Sequence, residues 1–295
     1  MTNVLLAIIF ALISTTLLNL GLGLQKKGAS ELPTIDFKAI KNTLRNFLKC
    51  KIWLLGVLLT AVAAFINFQA LEYGGLAIVT PILGFGLVVL AIFSVIVLKE
   101  KIHLIELIGI ALIMIGIILV GFVATESPVA TINVPAELIF LFVTLGILIS
   151  LVVFSRFKYF QRFKVVFFGI LAGITGGLGT IFGKFLVLGV TFDLADPLSW
   201  LALFTSIYLY FAIGSMAASF VFNNMAFQEG KAIISVSLYN SFMIFYPILA
   251  GAIILSEILV PLQIIGIVII IGGGLALTRF SGSSAPEPVE KASSN

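Results

Sequence analysis

Polar side chains able to handle a solute are few in this chain, and most of them stand inside apolar runs. Asn19 follows Ser14, Thr15 and Thr16 in one run, and Thr80 opens another beside Pro81. Asn67 with Gln69, and Asn223 with Asn224, close two more. Ser235, Ser237, Tyr239, Asn240 and Ser241 make the densest polar stretch of all. Lys184, in GTIFGKFLVLG (179–189), is a lone cation, and Asp193 is the only acid within ten residues of it. A charge at membrane depth is costly and usually has a function. Amide and hydroxyl groups there either bond neighbouring helices or line a polar cavity. Lys184, Asn19, Thr80, Tyr239, Asn240, Asn67 and Asn224 are therefore the candidate substrate-binding residues. For Lys184 the plainer reading is a lysine that snorkels to the membrane interface, with Asp193 or Glu257 as its partner.

Catalysis finds no support in the same inventory. His103 is the only histidine and Cys50 the only cysteine. No cluster of His, Cys and carboxylate has the spacing of a metal site, and no nucleophile has a base beside it. A phosphate-binding G-x-x-x-x-G-K-[ST] run is missing, so nothing points to a nucleotide or another cofactor. Gly169, Gly173 and Gly177 repeat every fourth residue, a spacing that lets helices approach closely.

The elements that must position these groups follow from composition. Hydrophobic residues make up 61% of the 295 and charged residues only 10%. A soluble domain of this length could not cover so much apolar surface. A bilayer is crossed by about 20 helical residues, and nine segments meet that length: 4–24, 52–71, 76–98, 104–122, 138–155, 165–190, 198–226, 232–255 and 262–278. The expected fold is an all-α polytopic membrane protein. The segment IDFKAIKNTLRNFLKCK (35–51) is different. Its Lys and Arg residues alternate with Phe37, Ile40, Leu44, Phe47 and Leu48 on one helical face, as in a helix lying on the membrane surface. The tail from Ser281 is polar and low in complexity, and reads as disordered.

Lys and Arg placement sets the orientation. With the loop 25–51 in the cytoplasm, alternation places 16 of the 17 basic residues on that side. Lys184 is the exception. The N-terminus is then outside, the C-terminus inside, and the membrane that of the cell. The net charge of +4 reflects these loops and not a nucleic-acid partner.

Shifting the sequence against itself by 157 residues brings Lys27 onto Lys184, Asn67 onto Asn224, Glu72 onto Glu229, Glu100 onto Glu257, Gly109 onto Gly266 and Gly116 onto Gly273. Each copy holds four spans, 1–4 and 6–9, and span 5 joins them, so the second copy enters the membrane from the opposite side. Inverted repeats of this kind build many secondary transporters. The chain divides into a first repeat (1–124), a bridging helix with its loops (125–164), a second repeat (165–280) and the tail (281–295). Glu100 and Glu257 close spans 3 and 8, where each could accept from free N–H groups of the next helix, a structural role. Two fused repeats make a monomer sufficient, and a dimer is compatible.

The helix pairs VTPILGFGLVVLAIFSVIVLKEKIHLIELIGIALIMIGIILVG and VSLYNSFMIFYPILAGAIILSEILVPLQIIGIVIIIGGG resemble the drug/metabolite transporter superfamily. Two of its branches are similar to this chain. EamA-like exporters usually have ten spans. NIPA-like magnesium transporters have nine, a KKG turn after the first (QKKG, 25–28) and a VTP opening to the third (79–81). The resemblance implies a transporter working by alternating access between the repeats. Its cargo is a small metabolite or, alternatively, Mg²⁺, and an accessory membrane protein without transport is the third reading. Small multidrug relatives carry an acid deep in their first span. Span 1 has none here, which speaks against efflux of organic cations, whereas Lys184, Tyr239 and Asn240 suit an amino-acid-like or neutral solute.

Overall fold

The computed structural model describes residues 2–35, 37–83, 85–122, 132–190, 197–256 and 259–281. Backbone groups in a bilayer must be satisfied within the protein, which favours helices in apolar runs. Among the described residues there are helices and connections, with no strand. In chain order they are α1 (Thr2–Ser30), α2 (Ile40–Lys49), α3 (Lys51–Leu83), α4 (Gly86–Ile96), α5 (Leu104–Phe122), α6 (Val134–Arg156), α7 (Lys164–Gly189), α8 (Pro197–Thr205), α9 (Ile207–Glu229), α10 (Ala232–Ile254) and α11 (Pro261–Ser281). Short 3₁₀ turns precede α2 and α7.

Five described stretches are long and apolar enough to cross a membrane: Leu5–Ser30, Val134–Arg156, Lys158–Leu186, Ile207–Glu229 and Ala232–Ile254. The pair Ile40–Lys49 and Lys51–Asn67, bent by 82°, makes a sixth if it is one span; Gly86–Ile96, Leu104–Val120 and Pro261–Leu277 are shorter apolar helices. The chain is a multi-pass membrane protein. The helices depart from the expected spans at two places. No turn separates spans 2 and 3 at 72–75. Helix α3 runs on to Leu83, and the break falls just before α4. The pair Gly74–Gly75 lowers helix propensity without forbidding a helix, and the helix also runs through Pro81. Span 7 is likewise split, into α8 and α9, by the extended backbone of Ser206. Elsewhere the caps act as the sequence suggests. The Asn133 side chain accepts from Ala136 N at 3.1 Å, with Pro135 in the first turn of α6.

Close pairs of helices hold the bundle together. A Cβ on Gly21 of α1 would lie 2.8 Å from Gly56 O of α3, and one on Gly56 2.6 Å from Gly21 O. The glycine row of α7 packs on α10: Gly169, Gly173 and Gly177 face Leu238, Phe242 and Tyr246 in turn. Helices α5 and α11 run antiparallel and mesh twice. Gly109 faces Gly273, with 2.6 Å between a Cβ on Gly273 and Gly109 O, and Gly116 faces Gly266, with 2.6 Å between a Cβ on Gly116 and Gly266 O. Each pair leaves no room for a side chain, so the backbones touch.

Segment 35–51 forms the amphipathic helix its pattern requires. Helix α2 carries Ile40, Leu44 and Leu48 exposed on one face, while Phe47 is buried against Trp53 at the start of α3, with ring centroids 5.1 Å apart.

Candidate functional site

Two polar features occupy the bundle. The first is a seam between α1, α4 and α10, three helices that pack on one another. Asn19 is buried, and its amide Nδ2 donates to Thr15 O at 2.9 Å. A Cβ on Gly86 of α4 would collide with Asn19 Nδ2 and Thr15 Oγ1, so only glycine admits this asparagine. Asn19 Oδ1 has no protein partner, and neither do the fully buried hydroxyls of Ser235 and Ser237 in α10; the buried Ser94 hydroxyl of α4 lies beside the Glu100 carboxyl and belongs with it. Hydroxyls within helices usually bond back to the carbonyl four residues earlier. Thr144, Thr175 and Ser241 do so, to Phe140 O, Leu171 O and Ser237 O. An unmet buried hydroxyl costs about 1–3 kcal/mol. Asn19 Oδ1 is thus free for a polar occupant, as are the Ser235 and Ser237 hydroxyls, which stand on opposite sides of α10.

The second feature closes the seam at the end of the bundle that carries the basic segments. It gathers on the turn between α9 and α10. Lys26, buried in the last turns of α1, donates to Phe227 O and Gly230 O. Carbonyls at a helix C-terminus attract a cation. Gln228 donates to Ala29 O at 3.2 Å and Pro33 O at 3.0 Å, and accepts from Ile35 N at 3.0 Å. Lys231 pairs with the fully buried Glu106 at 2.8 Å and also donates to Lys101 O at 2.6 Å. Glu106 in turn accepts from His103 N at 2.8 Å, at the start of α5. Ala232 N, the first N–H of α10, donates to Glu100 Oε1 at 2.9 Å. Lys164 and Glu229 add a half-exposed pair at 3.2 Å. Burial raises the Glu100 carboxyl above the ordinary carboxylate range, against the opposing pull of the Ala232 N–H and the nearby Lys26 ammonium.

The residues expected to bind substrate are only partly brought together. Asn19 lies in the seam. Asn224 is buried away from it, at the α3–α9 contact, where Trp53 Nε1 donates to its Oδ1 at 2.6 Å. Its repeat mate Asn67 is half-buried in α3, with Oδ1 lacking a protein partner. Tyr239 and Asn240 are half-buried in α10, and the Tyr239 ring packs toward Gly176 of α7. Lys184 is exposed on α7, eight residues or about 12 Å further along. The side chain of Thr80, the acids Asp193 and Glu257, and the tail from 282 lie outside the described residues. Glu100 accepts from the first N–H of α10 and not, as expected, from the helix that follows it. Sequence reasoning passed over Ser94, Lys26, Glu106 and Lys231. Lys26 follows Asn19 by seven residues, which puts both on one helical face, and that spacing was the available signal.

A multi-pass helical bundle with an oxygen-lined seam and a polar closure at one end is the architecture of a membrane transporter. The chain belongs to the magnesium transporter NIPA family, whose family model matches residues 2–282. Among curated relatives, the probable magnesium transporter NIPA9 of Arabidopsis thaliana is 28% identical over 250 residues, 81% of this chain and 70% of that protein. The probable magnesium transporter NIPA5 of the same plant is 26% identical over 223 residues, 71% of this chain and 57% of that protein. The chain thus spans little more than half of NIPA5. No solved structure matches it.

Proposed function

We propose that this chain carries Mg²⁺ across the cell membrane by alternating access, with the α1–α4–α10 seam as the path. The observation that carries the proposal is the set of buried oxygens without protein partners on α1 and α10: Asn19 Oδ1 and the hydroxyls of Ser235 and Ser237. Mg²⁺ is a hard cation that takes oxygen ligands and gives up its water reluctantly. Neutral oxygens suit an ion that passes partly hydrated, because they replace outer hydration without trapping the cargo. The family membership points the same way. The metabolite reading leaned on Lys184, which is exposed on α7 and not within the seam.

The inverted repeat and the nine crossings belong to this proposal. Two features support them. Lys99 and Ser256 are separated by 157 residues, the repeat offset, and both take a left-handed backbone, with φ of 55° and 53°. The glycine contacts between α5 and α11 also map onto each other under that offset, since Gly109–Gly273 becomes Gly266–Gly116. With the basic end in the cytoplasm, the conformation described is closed on the inside. A divalent cation reaching that end repels Lys26 and biases its release, the differential interaction a conformational change requires.

The test is Mg²⁺ uptake into proteoliposomes holding an Mg²⁺-sensitive dye. Uptake should exceed that of empty vesicles and fall at least tenfold, on the order of one lost ligand's contribution, in Asn19→Leu and in the Ser235→Ala/Ser237→Ala pair. Uptake no greater than in empty vesicles sinks the proposal. Normal uptake by the seam variants moves the path elsewhere.

A further inference from the structure

Helix α2 has no part in the seam or its closure, yet its placement is specific. It meets the start of α3 at 82°, so it lies across the bundle where α3 runs along it. Helical spacing places Lys41, Arg45 and Lys49 together on one flank, beside Leu48, and all three are exposed. Between Asp36 and Glu72 the sequence holds no acid at all. The opposite flank of the apolar face borders a groove of about 110 Å³. Ile40, Leu44 and Phe47 of α2 form one wall, Trp53 of α3 the floor, and Phe220 and Val221 of α9 the other wall. The floor is fixed from two sides: Trp53 stacks edge-on against Phe47 and Phe220, at 5.1 and 5.7 Å, and donates to Asn224. An apolar hollow of this order, comparable to about 150 Å³ cavities known to take small hydrocarbons, favours an apolar guest over water.

We infer that this groove and the basic flank of α2 together bind one anionic phospholipid, the acyl chain in the groove and the headgroup phosphate against Lys41 and Arg45. The charge complementarity selects the occupant. A purely apolar guest needs no cations across the apolar face from the groove, and a soluble anion needs no groove. Lipid chains are present at membrane depth, and basic helices at the surface draw anionic headgroups. Because the Trp53–Asn224 bond joins α3 to α9, the lipid would bridge the two proposed repeats at their contact. This inference does not depend on the identity of the transported ion.

The experiment is thermal unfolding of the full-length protein in neutral detergent, titrated with phosphatidylglycerol, with phosphatidylcholine of the same acyl chains, and with glycerol phosphate. A ligand that binds the folded state raises the midpoint saturably. Phosphatidylglycerol should do so and the other two should not. Lys41→Gln/Arg45→Gln should weaken the apparent affinity about thirtyfold, and Thr43→Trp, which fills the groove edge, should abolish the shift. An equal shift with phosphatidylcholine overturns the inference, as does unchanged binding in the double variant. A shift reproduced by glycerol phosphate also overturns it, since the site would then bind a soluble anion without a chain.

Discussion

The two ends of the bundle are fastened by different chemistry. At the basic end, Lys26, Gln228, Lys231, Glu100 and Glu106 tie the ends of α1 and α4 and the start of α5 to the α9–α10 turn, across 125 to 204 residues of sequence. Rings also pack at this end, Phe47 and Phe220 on Trp53 and Phe160 on Phe154 and Phe167, but at the opposite end they do most of the joining among the described residues. Phe182 and Phe185 of α7 pack on Tyr208 and Phe211 of α9, and Phe140 of α6 on Tyr246 of α10. Among the described residues its polar contacts include Tyr208 donating to Glu137 at 3.2 Å and Thr144 bonding Tyr246. Hydrogen bonds and ion pairs can be exchanged for water or for a cation with little net change, since each is worth only about 1 kcal/mol on balance. Interlocked rings have no such substitute. In the proposed alternating access, the polar ties of the basic end are the ones suited to come undone and re-form.

The contrast can be broken most severely at Lys231. Replacing it by Met leaves Glu106 buried and unpaired, and should cost about 3–5 kcal/mol in thermal unfolding. Adding Glu106→Leu should recover most of that loss. If Lys231→Met unfolds like the parent, the pair is no fastening. Phe185→Ala should cost about 3 kcal/mol by leaving a cavity, and the loss should be the same at low and high salt, which separates the ends by character and not by strength. Lys26→Met removes one cation and strands two carbonyls. It should cost about 1–3 kcal/mol and speed hydrogen exchange at Phe227–Ala232, while leaving amides around Phe182–Phe185 protected. Unchanged exchange at Phe227–Ala232 would deny Lys26 a closing role.

A smaller effect is expected at Glu100. Its carboxyl is raised by burial, so the folded state holds the proton more tightly than the unfolded one. That contribution is fully present at acid pH and is lost as pH rises through the folded carboxyl's value. Glu100→Gln keeps an oxygen for Ala232 N and should flatten the decline of midpoint with pH. An unaltered slope would show that another group sets it. Lys164→Ala should matter least, about 0–1 kcal/mol, because its pair with Glu229 is half-exposed.

Hydropathy alone delimited α5, α7 and α10 to within a residue, because apolar runs bounded by charges and prolines leave a helix little choice. It failed at 72–75, where glycines suggested a turn that the helix runs through. Asn19 was legible as a candidate because a polar side chain in an apolar run needs a reason, whereas in the polar stretch of α10 the sequence favoured Tyr239 and Asn240 over Ser235 and Ser237. The closure was not. Lys26, Glu106 and Lys231 stand at helix ends, where a charge reads as solvated, and only the fold brings their partners from more than a hundred residues away. Lys184 stayed open between a cavity role and an interface role in the sequence, and α7 carries it to an exposed position.

The doubled glycine contact between α5 and α11 has a mechanical consequence. Two backbones that touch at Gly109–Gly273 and again seven residues away at Gly116–Gly266, about 10 Å along the axis, can neither slide nor roll against each other. In the proposed alternating access they serve as a fulcrum. A rigid body pivoting on a fulcrum near its middle swings its two ends in opposite senses, so a gap opening at the basic end is matched by a narrowing at the other. Coordination between the two ends then needs no signal passed between them, because it follows from leverage.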